Sequence, residues 1–217
     1  MSVSTHFGTQ LDHLIVAAAT LEQAETFIAE RTGATALRGG KHVAMGTHNS
    51  LLRLGERIYL ELIAIDPDAP APGRARWFEL DRPIMQALLR DSPRLVAWAA
   101  RCDDIASARA ACPVDLGAIH SMQRGTLSWR ITIPDDGRLP EGGVLPTLIA
   151  WPDARHPAEA LPDQGVRLAT LAAAHSEPAR IRAALGSLGL AEALQVTYDA
   201  RPRLAAMLRT RNGLITL

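Results

Sequence analysis

GGKHVAMGTHNSLLRLGERIYLELIAI, residues 39–65, decides the fold of this chain. Glycines at 39, 40, 46 and 55 divide it into short β-compatible runs joined by turns, which with Ala34 to Arg38 gives three strands. In its last run, alternation puts Tyr59, Glu61 and Ile63 on one face and Leu60, Leu62 and Ala64 on the other. Upstream, LDHLIVAAA (11–19) is a further apolar strand, and Thr20 stands where a helix cap belongs. Residues 20–33 carry Leu21, Ala24, Phe27 and Ile28 at three- and four-residue spacing and end at Gly33, so an amphipathic helix follows. Residues 11–65 therefore read β-α-β-β-β.

The same order recurs twice, more weakly. Residues 93–152 hold the strand RLVAWAAR (94–101), a helix over 103–111 and the apolar strands GTLSWRITIP and VLPTLIAWP. After a loop rich in proline and charge (152–164), residues 165–217 give VRLATLAAA, the helix EPARIRAALGSLGL and three short strands. Such repetition predicts an α+β fold: βαβββ modules forming a curved mixed sheet cup, helices on its outer face, all in one compact domain. The hydrophobic frame repeats but the polar positions do not.

Charge and composition narrow the partners. Lys plus Arg (23) balances Asp plus Glu (23), with no basic run, so nucleic acid is not expected to bind. Lys41 is the single lysine among these cations, in an Ala- and Leu-rich chain, a composition expected of a bacterial gene of high GC content. No segment reaches the ~20 apolar residues of a membrane span, and residues 1–10 lack a secretory pattern. A cytoplasmic protein is expected, with Cys102 and Cys112 as reduced structural thiols and a homodimer as one way of burying the last module.

Two polar strand positions stand out. Glu61 lies in an apolar run, where a carboxylate is costly unless paired or bound to a cation. His13 shares a face with Leu11 and Ile15, and a curved βαβββ sheet brings its first and last strands together. Imidazole plus carboxylate suits Zn, Ni, Mn or Fe, although open catalytic sites usually use three protein ligands. His42, His48, Asn49 and Arg53 lie in the glycine-rich stretch, while Tyr59, Trp129, Trp151 and His156 suggest an aromatic pocket wall in a chain with 4% aromatics.

LDHLIVAA, the stretch 39–65, RWFELD (76–81) and PTLIAWPDARHPA (146–158) together resemble the glyoxalase-like branch of the vicinal-oxygen-chelate superfamily, over roughly residues 11–171. The resemblance implies His13 as first-strand and Glu61 as fourth-strand metal ligand, with Glu61 or a nearby histidine as catalytic base. It implies one of two functions. The first is a divalent-metal-dependent lyase, isomerase or dioxygenase acting on vicinal oxygens. The second is a metal-free small-molecule binding or sequestering protein of the bleomycin-resistance type. The matching positions of the later units are Ala97 and Thr147, or Leu168 and Thr216, none a strong ligand, so the set is incomplete unless His42, His48 or His156 supplies a ligand from a loop.

Overall fold

The structure, a computed structural model, describes residues 7–152 and 156–217. The first module comprises β1 (Gln10–Ala17), α1 (Leu21–Thr32), β2 (Leu37–His42), β3 (Thr47–Arg53) and β4 (Tyr59–Ile65). Thr20 Oγ1 caps α1 by accepting from the Gln23 amide, and Gly33 closes it in the left-handed conformation. β4 returns beside β1 in parallel, and β3 and β2 continue antiparallel outward.

After α2 (Pro83–Asp91) the wiring repeats as β5 (Arg94–Arg101), α3 (Ile105–Ala111), β6 (Ala118–Arg124), β7 (Leu127–Ile133) and β8 (Thr147–Ala150). β5 pairs antiparallel with β1, so the modules share one eight-stranded sheet in the order β2-β3-β4-β1-β5-β8-β7-β6. The sheet curls until its end strands β2 and β6 approach each other. The expected α+β cup of βαβββ modules is present.

Strand alternation sorts the side chains. Leu14, Val16, Leu60, Leu62, Trp98, Ala100 and Leu148 face outward into one core with Leu21, Ala24 and Ile28 of α1 and Ile105 of α3. Ile15, Ile63, Ala97, Ala99, Ile131 and Ile149 face the concave side with Trp77, Phe78 and Trp129. Trp98 is fully buried, and its Nε1 donates to Val144 O at 2.9 Å.

The last segment has β9 (Arg167–His175), α4 (Pro178–Ser187), β10 (Gln195–Tyr198), β11 (Arg203–Thr210) and β12 (Gly213–Thr216). Its element order repeats that of the modules, but its strands lie as β10-β9-β11-β12 in a separate four-stranded sheet. With β10 and β11 on its two edges, β9 has no free edge to pair as β1 does, and Leu168 and Thr216 lie outside the cup. Leu171, Ala173 and Leu208, with Ile181 and Leu185 of α4, join the outer core and cover the back of the cup. Cys102 and Cys112 are free thiols, and among the described residues no helix is long and apolar enough to cross a membrane.

Trp98→Ala removes the largest fully buried side chain of the outer layer and should cost about 3–5 kcal/mol in urea unfolding. A loss below about 1 kcal/mol would mean that this layer is not the stabilising core.

Candidate active site

β1 carries a bulge at the head of the cup. Leu11 pairs with Ala100 and His13 with Ala99, so Asp12 is an extra residue without a partner on β5. The side chains of Asp12 and His13, which a regular strand would send to opposite faces, meet, with Asp12 Oδ1 2.6 Å from His13 Nδ1. Asp12 Oδ2 accepts from Trp151 Nε1 at 2.9 Å and His156 Nε2 at 3.0 Å. His156 Nδ1 accepts from the Ala158 amide, which leaves its proton on Nε2. Burial alone would raise the Asp12 carboxyl, but hydrogen bonds and charge from His13 and His156 outweigh it and hold the group below the usual carboxylate range. An ionised Asp12 keeps a proton on His13 Nδ1 whether or not Nε2 also carries one, and His13 Nε2 stands 3.6 Å from Glu61 Oε2.

A second chain of contacts starts at Glu61. Asn49 Nδ2 donates to Glu61 Oε1 at 2.5 Å, and Asn49 Oδ1 accepts from Arg124 Nη1 at 2.8 Å. The carboxylate needs a donor and the guanidinium an acceptor, so the amide can be oriented only one way. His42 Nε2 faces Arg124 Nη1 and Asn49 Nδ2, both at 3.4 Å, while its Nδ1 lies 3.1 Å from Thr47 Oγ1. Burial pushes His42 down to about 4, against the opposing pull of Glu61 and with help from Arg124, so the ring is neutral at pH 7. Gly39 and Gly40 make this possible: a Cβ on the first would strike the Asn49 amide, and one on the second would stand 3.0 Å from Arg124 Cδ.

Aromatic walls enclose these polar groups. Tyr59 stacks on His13 with centroids 4.5 Å apart, and its phenol is raised well above its ordinary value by burial and by Asp12 and Glu61. Trp129 and Trp151 meet at 5.7 Å, and Trp77 stands edge-on to His42 at 5.1 Å. Trp77 and Phe78 come from the connection before α2, where Phe78 and Glu79 adopt positive φ and the Glu79 amide donates to Gly137 O at 2.8 Å. The cavity measures about 440 Å³, counting space open to solvent.

The model of the glyoxalase-like domain family matches residues 11–189. The chain belongs to that family. Membership places it in the vicinal-oxygen-chelate superfamily and makes it an enzyme-like small-molecule protein. A hypothetical protein from Staphylococcus aureus shares the fold with a TM-score of 0.63 at 13% identity, over 90% of this chain and 88% of that one. Methylmalonyl-CoA epimerase from Mycobacterium tuberculosis aligns at 21% identity and a TM-score of 0.44, over 66% and 88% of the two chains. A single-residue variant of the Streptomyces coelicolor methylmalonyl-CoA epimerase, in complex with 2-nitronate-propionyl-CoA, aligns at 15% identity and 0.43, over 68% and 98%. No curated protein matches.

In this glyoxalase-like domain, His13, His42, Asn49, Tyr59, Glu61, Trp129 and Trp151 all line the cup. His156 stands behind the lining, on Asp12. Two of the expected pocket residues do not reach it. His48 neighbours Asn49 on β3 and so points to the other face, beside Thr20, Glu22 and Lys41. Arg53 lies at the end of β3, its Nε donating to Gly55 O at 3.0 Å and its Nη1 to Leu161 O at 3.5 Å. The sequence reading gave no role to Asp12, Arg124, Trp77 or Phe78. Asp12 sits on the wrong face unless a bulge is assumed, and Arg124 ends AIHSMQR, a half-exposed strand without an apolar stripe.

The residues of this glyoxalase-like cup do not complete a metal shell. His13 and Glu61 converge, but the strands that supply the other half place Ala99 opposite His13 and Thr147 beside Ala99. Because Ile15 pairs with Glu61 as Ala99 pairs with Thr147, the positions matching His13 and Glu61 are Ala97 and Thr147, as the sequence alignment has them, and Ala97 faces Ile15. His42 Nε2 is 3.9 Å from Glu61 Oε1 but already faces two N–H donors, one of them cationic. Among the described residues no three His, Cys, Asp or Glu side chains are grouped to hold a metal ion.

Asp12→Ala leaves His13, His156 and Trp151 facing an empty buried space and should cost about 3–5 kcal/mol at pH 7. The folded carboxyl is held below the ordinary value of 3.8, so its contribution is present above that pH and is lost as pH falls through the folded value. Urea unfolding of both proteins at pH 7 and 4 and below should show the deficit narrowing on the acid side; a deficit that does not vary there contradicts the assignment.

Proposed function

We propose that the chain is a proton-transfer enzyme, an isomerase or lyase, acting on a small substrate with oxygens on adjacent carbons. One observation carries this reading: His13 Nε2 and Glu61 Oε2 face each other at 3.6 Å on the cup wall, each fixed from behind by a partner. That separation is too long for a hydrogen bond, so neither group is consumed by the other. Both point at one place where a substrate atom can sit.

On an α-hydroxycarbonyl substrate, Glu61 takes the proton from the carbon beside the carbonyl while His13, protonated at both nitrogens, donates from Nε2 to the carbonyl oxygen. The C–H electron pair becomes the double bond of an enediol. His13 then takes the proton of the other hydroxyl as Glu61 returns its proton to the neighbouring carbon, and the isomerised product leaves both groups as they began. Asp12 supports the positive imidazole during the cycle. Asn49 holds the Glu61 oxygen that does not react, and the aromatic walls keep water from quenching the enediol.

Incubating the protein in D2O with a panel of small hydroxycarbonyls and dicarbonyls should show carbon-bound deuterium by NMR. Glu61→Gln should slow exchange by about 10²- to 10⁴-fold. Exchange that is absent throughout, or equal in the variant, defeats the reading. The carboxylate behind His13 is also how a metal-bound imidazole is oriented, which favours a second, metal-dependent reading. Near-stoichiometric Zn, Ni, Mn or Fe, lost in both His13→Ala and Glu61→Ala, would put that reading first. Saturable ligand binding without exchange would point instead to a sequestering protein.

A further inference from the structure

Among the described residues, Arg124 has no counter-charge. Its guanidinium lines the cup, and its hydrogen bonds there run from Nη1 alone, to Asn49 Oδ1 and towards His42 Nε2, with no described carboxylate oxygen within 4.0 Å. His42 is neutral, so it neither balances nor adds to that charge. The carboxylates of the cup, Asp12 and Glu61, sit towards β1 and β4, and Asn49 spans the gap between Glu61 and the guanidinium. The cup is therefore polarised, negative at the proton-transfer pair and positive at the seam between β6 and β2.

The chain makes room for this arrangement. Arg124 reaches from the last strand of the sheet into the first module and lies close on its glycine pair, where a Cβ on Gly40 would stand 3.0 Å from Arg124 Cδ and one on Gly39 3.1 Å from Arg124 Nη1. That close approach holds the side chain against the facing strand instead of leaving it in solvent. Trp77 lines the same cavity and stands edge-on to His42, the neutral ring that Arg124 Nη1 approaches.

We propose that Arg124 is the carboxylate anchor of the cup, so that the substrate is a small 2-oxo or 2-hydroxy acid rather than a neutral carbonyl compound. A planar guanidinium with free donors matches a carboxylate two-on-two. With the carboxylate on Arg124, the next carbons of such an acid lie in the space Asn49 spans and reach Glu61. The inference rests on the cup being the substrate site and adds the class of molecule it takes.

Calorimetric titration of the full chain with short 2-oxo and 2-hydroxy acids, each paired with its methyl ester, tests the anchor directly. The acid should bind about 10- to 100-fold tighter than its ester, since a charge-assisted pair is lost in the ester. Arg124→Gln should abolish that preference, and Arg124→Lys should keep part of it because charge survives but the fork does not. If the wild-type protein binds no acid in preference to its ester, or if Arg124→Gln keeps the preference, the proposal is overturned. The wild-type comparison stands even if a variant fails to fold. Acid preference without deuterium exchange would leave the anchor standing and defeat the proton-transfer reading; exchange on neutral compounds with no acid preference would do the reverse.

Discussion

The antiparallel pairing of β1 with β5 is the constraint on which the rest depends. It fuses two βαβββ modules along their first strands, and only then does a sheet of eight strands have length enough to curl until β6 meets β2. The bulge inside that pairing turns Asp12 towards His13. Closure of the sheet lets Arg124 reach Asn49. A carboxylate, an imidazole and a guanidinium thus share one concave wall because of where two backbone strands hydrogen-bond.

Polar groups survive in this interior because nearly all are paired. Asp12 is fully buried yet stays charged, with three side chains donating to it or sharing a proton with it. Such a network is costly if one member is lost and stable while complete. It holds the proton-transfer pair rigid, which is what placing two groups on one substrate atom requires. The exceptions are informative: Arg124 bonds through Nη1 alone, and the indole N–H of Trp77 is buried without a partner among the described residues.

Much of this was legible in local sequence patterns. Alternation alone separated Glu61 from Leu60 and Leu62, and the helix cap and glycine stop of α1 were plain. His13, Asn49, Tyr59, Trp129 and Trp151 were found because residue type and face agreed. Asp12 was hidden because a bulge breaks the period of two that any strand reading assumes. Arg124 was hidden because AIHSMQR has neither a continuous apolar run nor a β-branched stripe, and nothing local says that its last residue will face a strand about 80 positions earlier. The last five elements illustrate the same limit: their order matches the modules, yet β9 lies between β10 and β11, an outcome of which edges are free.

By itself the sequence determined the α+β class, the first module, the outward and inward faces of its strands and the pairing of His13 with Glu61, because these follow from side-chain periodicity and turn chemistry within 55 residues of one another. The tertiary structure decided what stands opposite them: Ala99 across from His13 with Thr147 beside it, Arg124 where no charge was expected, and His48 and Arg53 turned away. Cross-strand register and sheet curvature set those placements, and both arise from hydrogen bonds between distant segments that no local pattern encodes.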